Sequence, residues 1–212
     1  EKRRAKNNGS SEQKIKKNWL EKVKENDYVI LLGDFSWATY LEEAYDDFKY
    51  LDELPGKKIL LKGNHDYWWT TITNMKNYLK ENKFNTIDFL HNNSYFIEDK
   101  IIVGTRGWNL LETENSEKMI NRENNRLKLS IEDGIQKFGK EKEIVVFMHY
   151  PPITINNANS EFVKTMKQYE IKRCYYAHLH GNSHKDAIEG IKNGIYFKLI
   201  SADYLKFDLF EI

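Results

Sequence analysis

The chain contains six histidines, and four of them lie directly after apolar runs, together with two Asp and one Asn. "YVILL" leads into Gly33-Asp34, and "KKILLK" leads into Gly63-Asn64-His65-Asp66. "EIVVFM" leads into His149, and "RCYYA" leads into His178-Leu179-His180. Carboxylate, amide and imidazole donors together suit Mn, Fe, Co or Zn better than Ca or a thiolate-bound ion. His178 and His180 stand two apart on an extended segment and so point to one side. With small backbone shifts they would serve two adjacent ions. Each feature taken alone has an ordinary explanation. An Asp after Gly is a turn or a cap, "GNHD" is a polar turn, and His149 before Tyr-Pro-Pro is a loop residue. All four in this order, each after an apolar run, are harder to explain as turns. His91 follows a strand without a companion, and His184 in "HGNSH" reads as a loop residue, so neither joins the set.

These residues need elements to position them. The spacing predicts a helix over 12–26, a buried strand over 27–34, a helix over 39–54 stopped by Pro55-Gly56, and a second buried strand over 57–63. A helix over 69–84 follows, then three short strands between 86 and 105. Residues 115–139 read as mainly helical, 143–149 as a buried strand, 160–169 as a helix and 171–178 as the next strand. The tail 194–212 alternates as two further strands. A strand–helix–strand crossover makes its two strands parallel, with both carboxyl ends on one edge. Asp34 and Asn64 are therefore expected to lie near each other, and so are His149 and His178. That edge is where open α/β sheets build their sites.

The composition fits one α/β domain over 1–212 with a sizeable core. Hydrophobic residues make up 40% of 212, and charged residues 31% with a net charge of +1. This balance disfavours a dedicated nucleic-acid binder. No apolar run approaches the roughly 18–20 residues of a membrane span. Cys174 is the single cysteine, which points to a packed thiol and a cytoplasmic compartment. Residues 1–10 read as a disordered, solvated tail.

At this point the sequence resembles the calcineurin-like metallophosphoesterase superfamily, whose pattern is Asp-x-His, Gly-Asp, Gly-Asn-His-[Asp/Glu], His and Gly-His-x-His. Residues 33–34, 63–66, 149 and 177–180 match the last four elements in order. The match looks closest to a branch of small bacterial phosphohydrolases with "GDFSW"- and "GTRGW"-like stretches. "GDFSWA" has no second Asp and no Arg, which disfavours a protein phosphatase. The resemblance implies a four-layer αββα sandwich of two mixed β-sheets flanked by helices. It implies two divalent transition-metal ions, Mn foremost, with Fe, Zn, Co or Ni as alternatives. Asp34 would bridge them, Asn64, His149 and His178 would complete one, and His180 would bind the other. His65 would act on the phosphoryl group as a catalytic acid, with Asp66 orienting His65 or bracing the turn. The reaction implied is in-line attack of a metal-bridging hydroxide on a small phosphate mono- or diester.

Two positions depart from the pattern. Ala177 stands where the family has Gly, which is tolerated unless φ is positive there. Asp-x-His occurs nowhere in the 212 residues. The expectation is that a natural segment carrying the first strand and that motif precedes residue 1. As it stands, the chain is expected to have one well-formed metal position and one crippled one, with weak or absent turnover. The competing reading is a catalytically impaired binding or scaffold module. Arg106 in "GTRGW" is a candidate phosphate contact, against a surface ion pair. Trp37, Tyr67, Trp68, Trp69 and Trp108 are candidates for a pocket wall, a core or an oligomer contact.

Overall fold

The computed structural model describes residues 8–110 and 116–212. In chain order the elements are α1 (Asn8–Lys22), β1 (Tyr28–Leu31), α2 (Tyr45–Asp52) and β2 (Lys57–Leu61). Then come α3 (Ile72–Glu81), β3 (Ile87–Leu90), β4 (Tyr95–Ile97) and β5 (Lys100–Thr105). The chain continues with α4 (Ser116–Phe138), β6 (Glu143–Met148), α5 (Glu161–Gln168) and β7 (Arg173–Tyr176), and closes with β8 (Gly190–Lys192) and β9 (Ile195–Leu199). Short 3-10 turns cover Leu41–Ala44 and Gly181–Asp186. Side-chain caps start two helices: Thr71 accepts from the Asn74 amide at 3.2 Å, and Ser160 from the Val163 amide at 3.3 Å. Of the tail expected over 1–10, residues 8–10 form the first turn of α1, and 1–7 lie outside the described residues.

The strands form two sheets. One has the order β1-β2-β3, and its described strands are all parallel. The other is mixed, with the order β4-β5-β6-β7-β9-β8. In it β5, β6, β7 and β9 run parallel, and β4 and β8 are antiparallel edges. Side chains of both sheets meet in one cluster that includes Ile59, Leu61, Ile102, Val145 and Phe147. The outer face of the small sheet packs on α1, α2 and α3 through Trp19, Phe48 and Met75. The outer face of the large sheet packs on α4 and α5 through Leu127, Ile131 and Phe162. Helices, sheet, sheet, helices is the four-layer αββα sandwich. Central strands covered on both faces explain the unbroken apolar runs of β2 and β6.

Register places the site. Leu31 pairs with Leu60, and Met148 with Tyr176, so the residues just beyond each pair leave the same edge together. The tail differs from the sequence expectation. It supplies one strand, β9, whose antiparallel partner β8 precedes it; residues 202–207 form turns instead of a second strand. Both edges of β9 are taken, by β7 and β8, so the tail cannot pair directly beside it. The last residues are held by α1 instead: Asn18 donates to the Phe207 carbonyl at 2.9 Å, and Lys22 pairs with Asp208 at 2.6 Å. Among the described residues no helix is long and apolar enough to cross a membrane.

Candidate metal centre

Four strand ends of the two sheets deliver their polar residues to one place. Asp34 follows β1 and has φ +56, a left-handed conformation that Asp tolerates better than most residues. The preceding Gly33 has φ +92, and a Cβ there would sit 2.5 Å from the Gly63 Cα and 2.8 Å from the His149 ring. The loops after β1 and β2 thus touch backbone to backbone, and glycine is required at that contact. Asp34 Oδ1 accepts the His65 amide at 2.8 Å, which ties the two loops again.

His149 is almost fully buried, with Nδ1 2.7 Å from the Leu32 carbonyl. A carbonyl only accepts, so Nδ1 carries the proton and Nε2 presents a lone pair. Around that lone pair stand Asn64 Oδ1 at 2.7 Å, His178 Nδ1 at 3.2 Å and Asp34 Oδ2 at 3.6 Å. Ligand atoms of Asp34, His149 and His178 all lie within 4.8 Å of one another. Burial lowers the His149 pKa to about 4, against the opposing pull of Asp34 and the Leu32 carbonyl. Burial also lowers that of His178. Both rings are held neutral, as metal ligands must be. The His149 Nε2 lone pair, the Asn64 oxygen and the Asp34 carboxylate are acceptors that face one another and repel unless a proton or a cation joins them, so the residues present fit a divalent ion. The positive φ on this loop falls on His178, at +69, and not on Ala177, which explains why Ala stands there without strain.

Asp66 is 1% exposed and acts within the loops. Its carboxylate accepts from the amides of Asp34 and Phe35 at 2.9 Å, Ser36 at 3.3 Å and Gly63 at 2.7 Å, and from Trp68 Nε1 at 3.1 Å. Burial pushes its carboxyl pKa up, and the amides of Gly63, Ser36 and Asp34 pull against that shift. Of the two expected roles, the geometry supports the brace: the His65 Nδ1 atom is buried without a hydrogen-bond partner among the described residues, so Asp66 does not orient that ring. The His65 ring stacks on Trp37 at 4.3 Å, with Tyr67 edge-on at 6.1 Å.

The aromatics divide. Trp37 and Tyr67 are 65% and 62% exposed and flank His65. Trp68 and Trp69 are buried in the core, against Phe48 and Phe89. Trp108 lies 4.7 Å from the Arg106 guanidinium. Arg106 faces Glu123 at 3.5 Å from a largely buried position, so it is no surface ion pair. His180 is not brought into the cluster: it is half exposed, with Nδ1 2.8 Å from Asp203. Asp203 also accepts the Gly181 amide at 2.9 Å, and His184 Nε2 lies 3.2 Å away, within ion-pair distance. Burial alone would raise the Asp203 pKa, but His180 and Gly181 more than offset it and hold it at about 2. Sequence reasoning missed Asp203, which lies in a turn with no motif around it. It also missed Tyr150, whose ring packs 4.2 Å from that of His178.

Among curated proteins none matches the chain. Among solved structures, one from Thermus thermophilus is 16% identical, covers 89% of this chain and 81% of its own, and has a TM-score of 0.56. A protein of unknown function from Aquifex aeolicus is 18% identical over 96% of this chain and 81% of its own, with a TM-score of 0.49. The first likeness supports the two-sheet sandwich at the level of fold. Comparison with known families matches residues 12–182 to "Calcineurin-like phosphoesterase", a span that takes in every strand end described above. The chain belongs to the calcineurin-like phosphoesterase family.

Proposed function

We propose that the chain hydrolyses a small phosphate ester with the help of divalent metal held by Asp34, Asn64, His149 and His178. The convergence of their lone pairs on one point carries this reading. A cation there supplies Lewis acidity, making water a nucleophile near neutral pH and drawing charge off phosphate oxygens. Mn is the favoured ion, with Fe, Zn, Co or Ni as alternatives, since oxygen and imidazole donors suit all of them. His180 is assigned to a second ion. Asp203 takes its Nδ1 proton and leaves Nε2 open, the way a carboxylate orients a metal-ligating imidazole.

His65 is proposed as the acid that protonates the leaving oxygen. Trp37 fixes its plane and Tyr67 flanks it, while its unpartnered Nδ1 leaves the ring free of competing bonds. Asp66 serves by holding the Asp34 and Gly63 backbones in register from behind. Arg106 is proposed to contact the anionic substrate. The buried single thiol of Cys174 supports the cytoplasm as the working compartment.

Metal analysis after Mn²⁺ loading tests the site: about one ion per chain is expected, and His149→Ala should lose it. Equal metal in the variant would overturn the ligand assignment. Loaded protein that hydrolyses none of a panel of nitrophenyl phosphate mono- and diesters would overturn the enzyme reading.

A further inference from the structure

The carboxyl edge extends past the metal ligands. Beside them, the ends of β2, β3 and β5 and one face of α4 enclose a pocket lined by Lys62, His91, Thr105, Arg106, Glu123 and Arg126. Glu123 is 1% exposed at its side chain. Its Oε2 accepts from the Thr105 hydroxyl at 2.9 Å, and its Oε1 faces Arg122 at 3.2 Å, Arg106 at 3.5 Å and Arg126 at 3.9 Å. Among the described residues, one carboxylate therefore answers three guanidinium groups. Lys62 adds a fourth positive charge.

Arg106 shows the shortfall most directly. Its Nε and Nη2 are buried with no hydrogen-bond partner among the described residues, Nη2 only facing Glu123 at 3.5 Å, while Trp108 covers a face of its guanidinium. Buried donors and unbalanced charge are costly unless a counter-ion completes them. Guanidinium forks match the oxygens of a phosphate group. The free space is about 10 Å³, room for one water, so an oxyanion would seat at the mouth against Arg126, whose side chain is 32% exposed, and reach the buried Arg106 donors through that water.

The pocket adjoins the metal centre. Lys62 precedes Asn64 by two residues. The Arg106 carbonyl accepts the Tyr150 amide at 2.9 Å, and the Tyr150 ring packs 4.2 Å from that of His178. We propose that Lys62, Arg106 and Arg126 form an anion subsite for a second phosphate group on the substrate, which makes the substrate a bisphosphorylated small molecule. This rests on the phosphoesterase reading above. The second phosphate is held and not cleaved; it anchors the molecule while the first meets the metal. Free inorganic phosphate has the same chemistry, so the test separates the two sources.

The first arm uses inorganic phosphate and chelator-treated protein, followed by calorimetry. Binding is expected without metal, unchanged in His149→Ala, and weakened at least about tenfold in Arg126→Ala, the loss of one charge-assisted contact. Lys62→Met gives the same readout at a second position should Arg126→Ala fold poorly. Phosphate binding that needs metal, or that survives both variants, overturns the subsite; the metal reading is judged separately by metal content. The second arm compares α,ω-alkyl bisphosphonates of increasing chain length with alkyl monophosphonates on Mn²⁺-loaded protein. One chain length is expected to bind at least about tenfold tighter than its monophosphonate, and Arg126→Ala should erase that preference. Equal binding at every length would leave a site for free phosphate and overturn the bisphosphate assignment.

Discussion

A histidine's role is set by what its second nitrogen touches, and three histidines of this edge show three answers. His149 gives one proton to a carbonyl and turns a lone pair inward. His180 sets its Nδ1 against an acidic side chain on the exposed rim. His65 leaves Nδ1 unpartnered and stacks on an indole. If His65 is the acid, His65→Ala should cut turnover of a nitrophenyl ester by roughly 10²–10⁴ and leave the Mn²⁺ content of the loaded protein unchanged. Loss of metal in that variant would place His65 among the ligands. The sequence makes these residues readable because each follows a strand directly. Asp203 and Glu123 were not readable: one lies in a turn and the other inside a long helix, and neither has a local motif. Only the folded contacts with His180 and Arg106 give them meaning.

At the scale of elements, periodicity served where burial is simple. β6 was expected over 143–149 and spans Glu143–Met148; α5 was expected over 160–169 and spans Glu161–Gln168. The helix expected over 39–54 is shorter, because a 3-10 turn at Leu41–Ala44 takes up its first residues. The tail misled because alternation reports an amphipathic extended segment but not whether an edge is free to receive it. "YLKFDLF" has the pattern of a strand, yet Lys206 and Phe207 take φ of +56 and +66, and the chain turns back to α1. Lys58 could not be read either. It sits fully buried in β2, with its ammonium donating to Thr86 Oγ1 at 3.0 Å and to the Leu54 carbonyl beyond the end of α2.

For the whole molecule, the relevant property is how much neutral imidazole the fold encloses. Burial lowers the pKa values of His91 and His149 to about 4, from an ordinary 6.5, and that of His178 in the same direction. Between those limits the unfolded chain binds more protons than the folded one, so stability rises with pH across the window. Metal-free protein should therefore melt at progressively lower temperature as pH falls from 6.5 toward 4. A Tm that stays level or rises over that range would contradict the neutral state of these buried rings. The four-layer arrangement itself was legible from alternating elements and from the resemblance. The charged pocket between strand ends and α4 was not, since its members are spread from Lys62 to Arg126.

The Asp66 carboxylate, which gathers five N–H groups from both loops, bears on how the metal arrives. Backbone ordering costs about 1–2 kcal/mol per residue, and here the carboxylate imposes that order while the chain folds. If Asp34 and Asn64 hold the ion as proposed, their backbones would need no rearrangement on meeting it. Selectivity then rests on ionic radius and coordination number, not on adaptation of the loops, and binding should release little flexibility. Hydrogen exchange reads this directly: the amides of Asp34 and Gly63 should exchange slowly in metal-free protein, and only marginally more slowly once metal is bound. Fast exchange that metal suppresses would mean that the ion, not the carboxylate, builds the site.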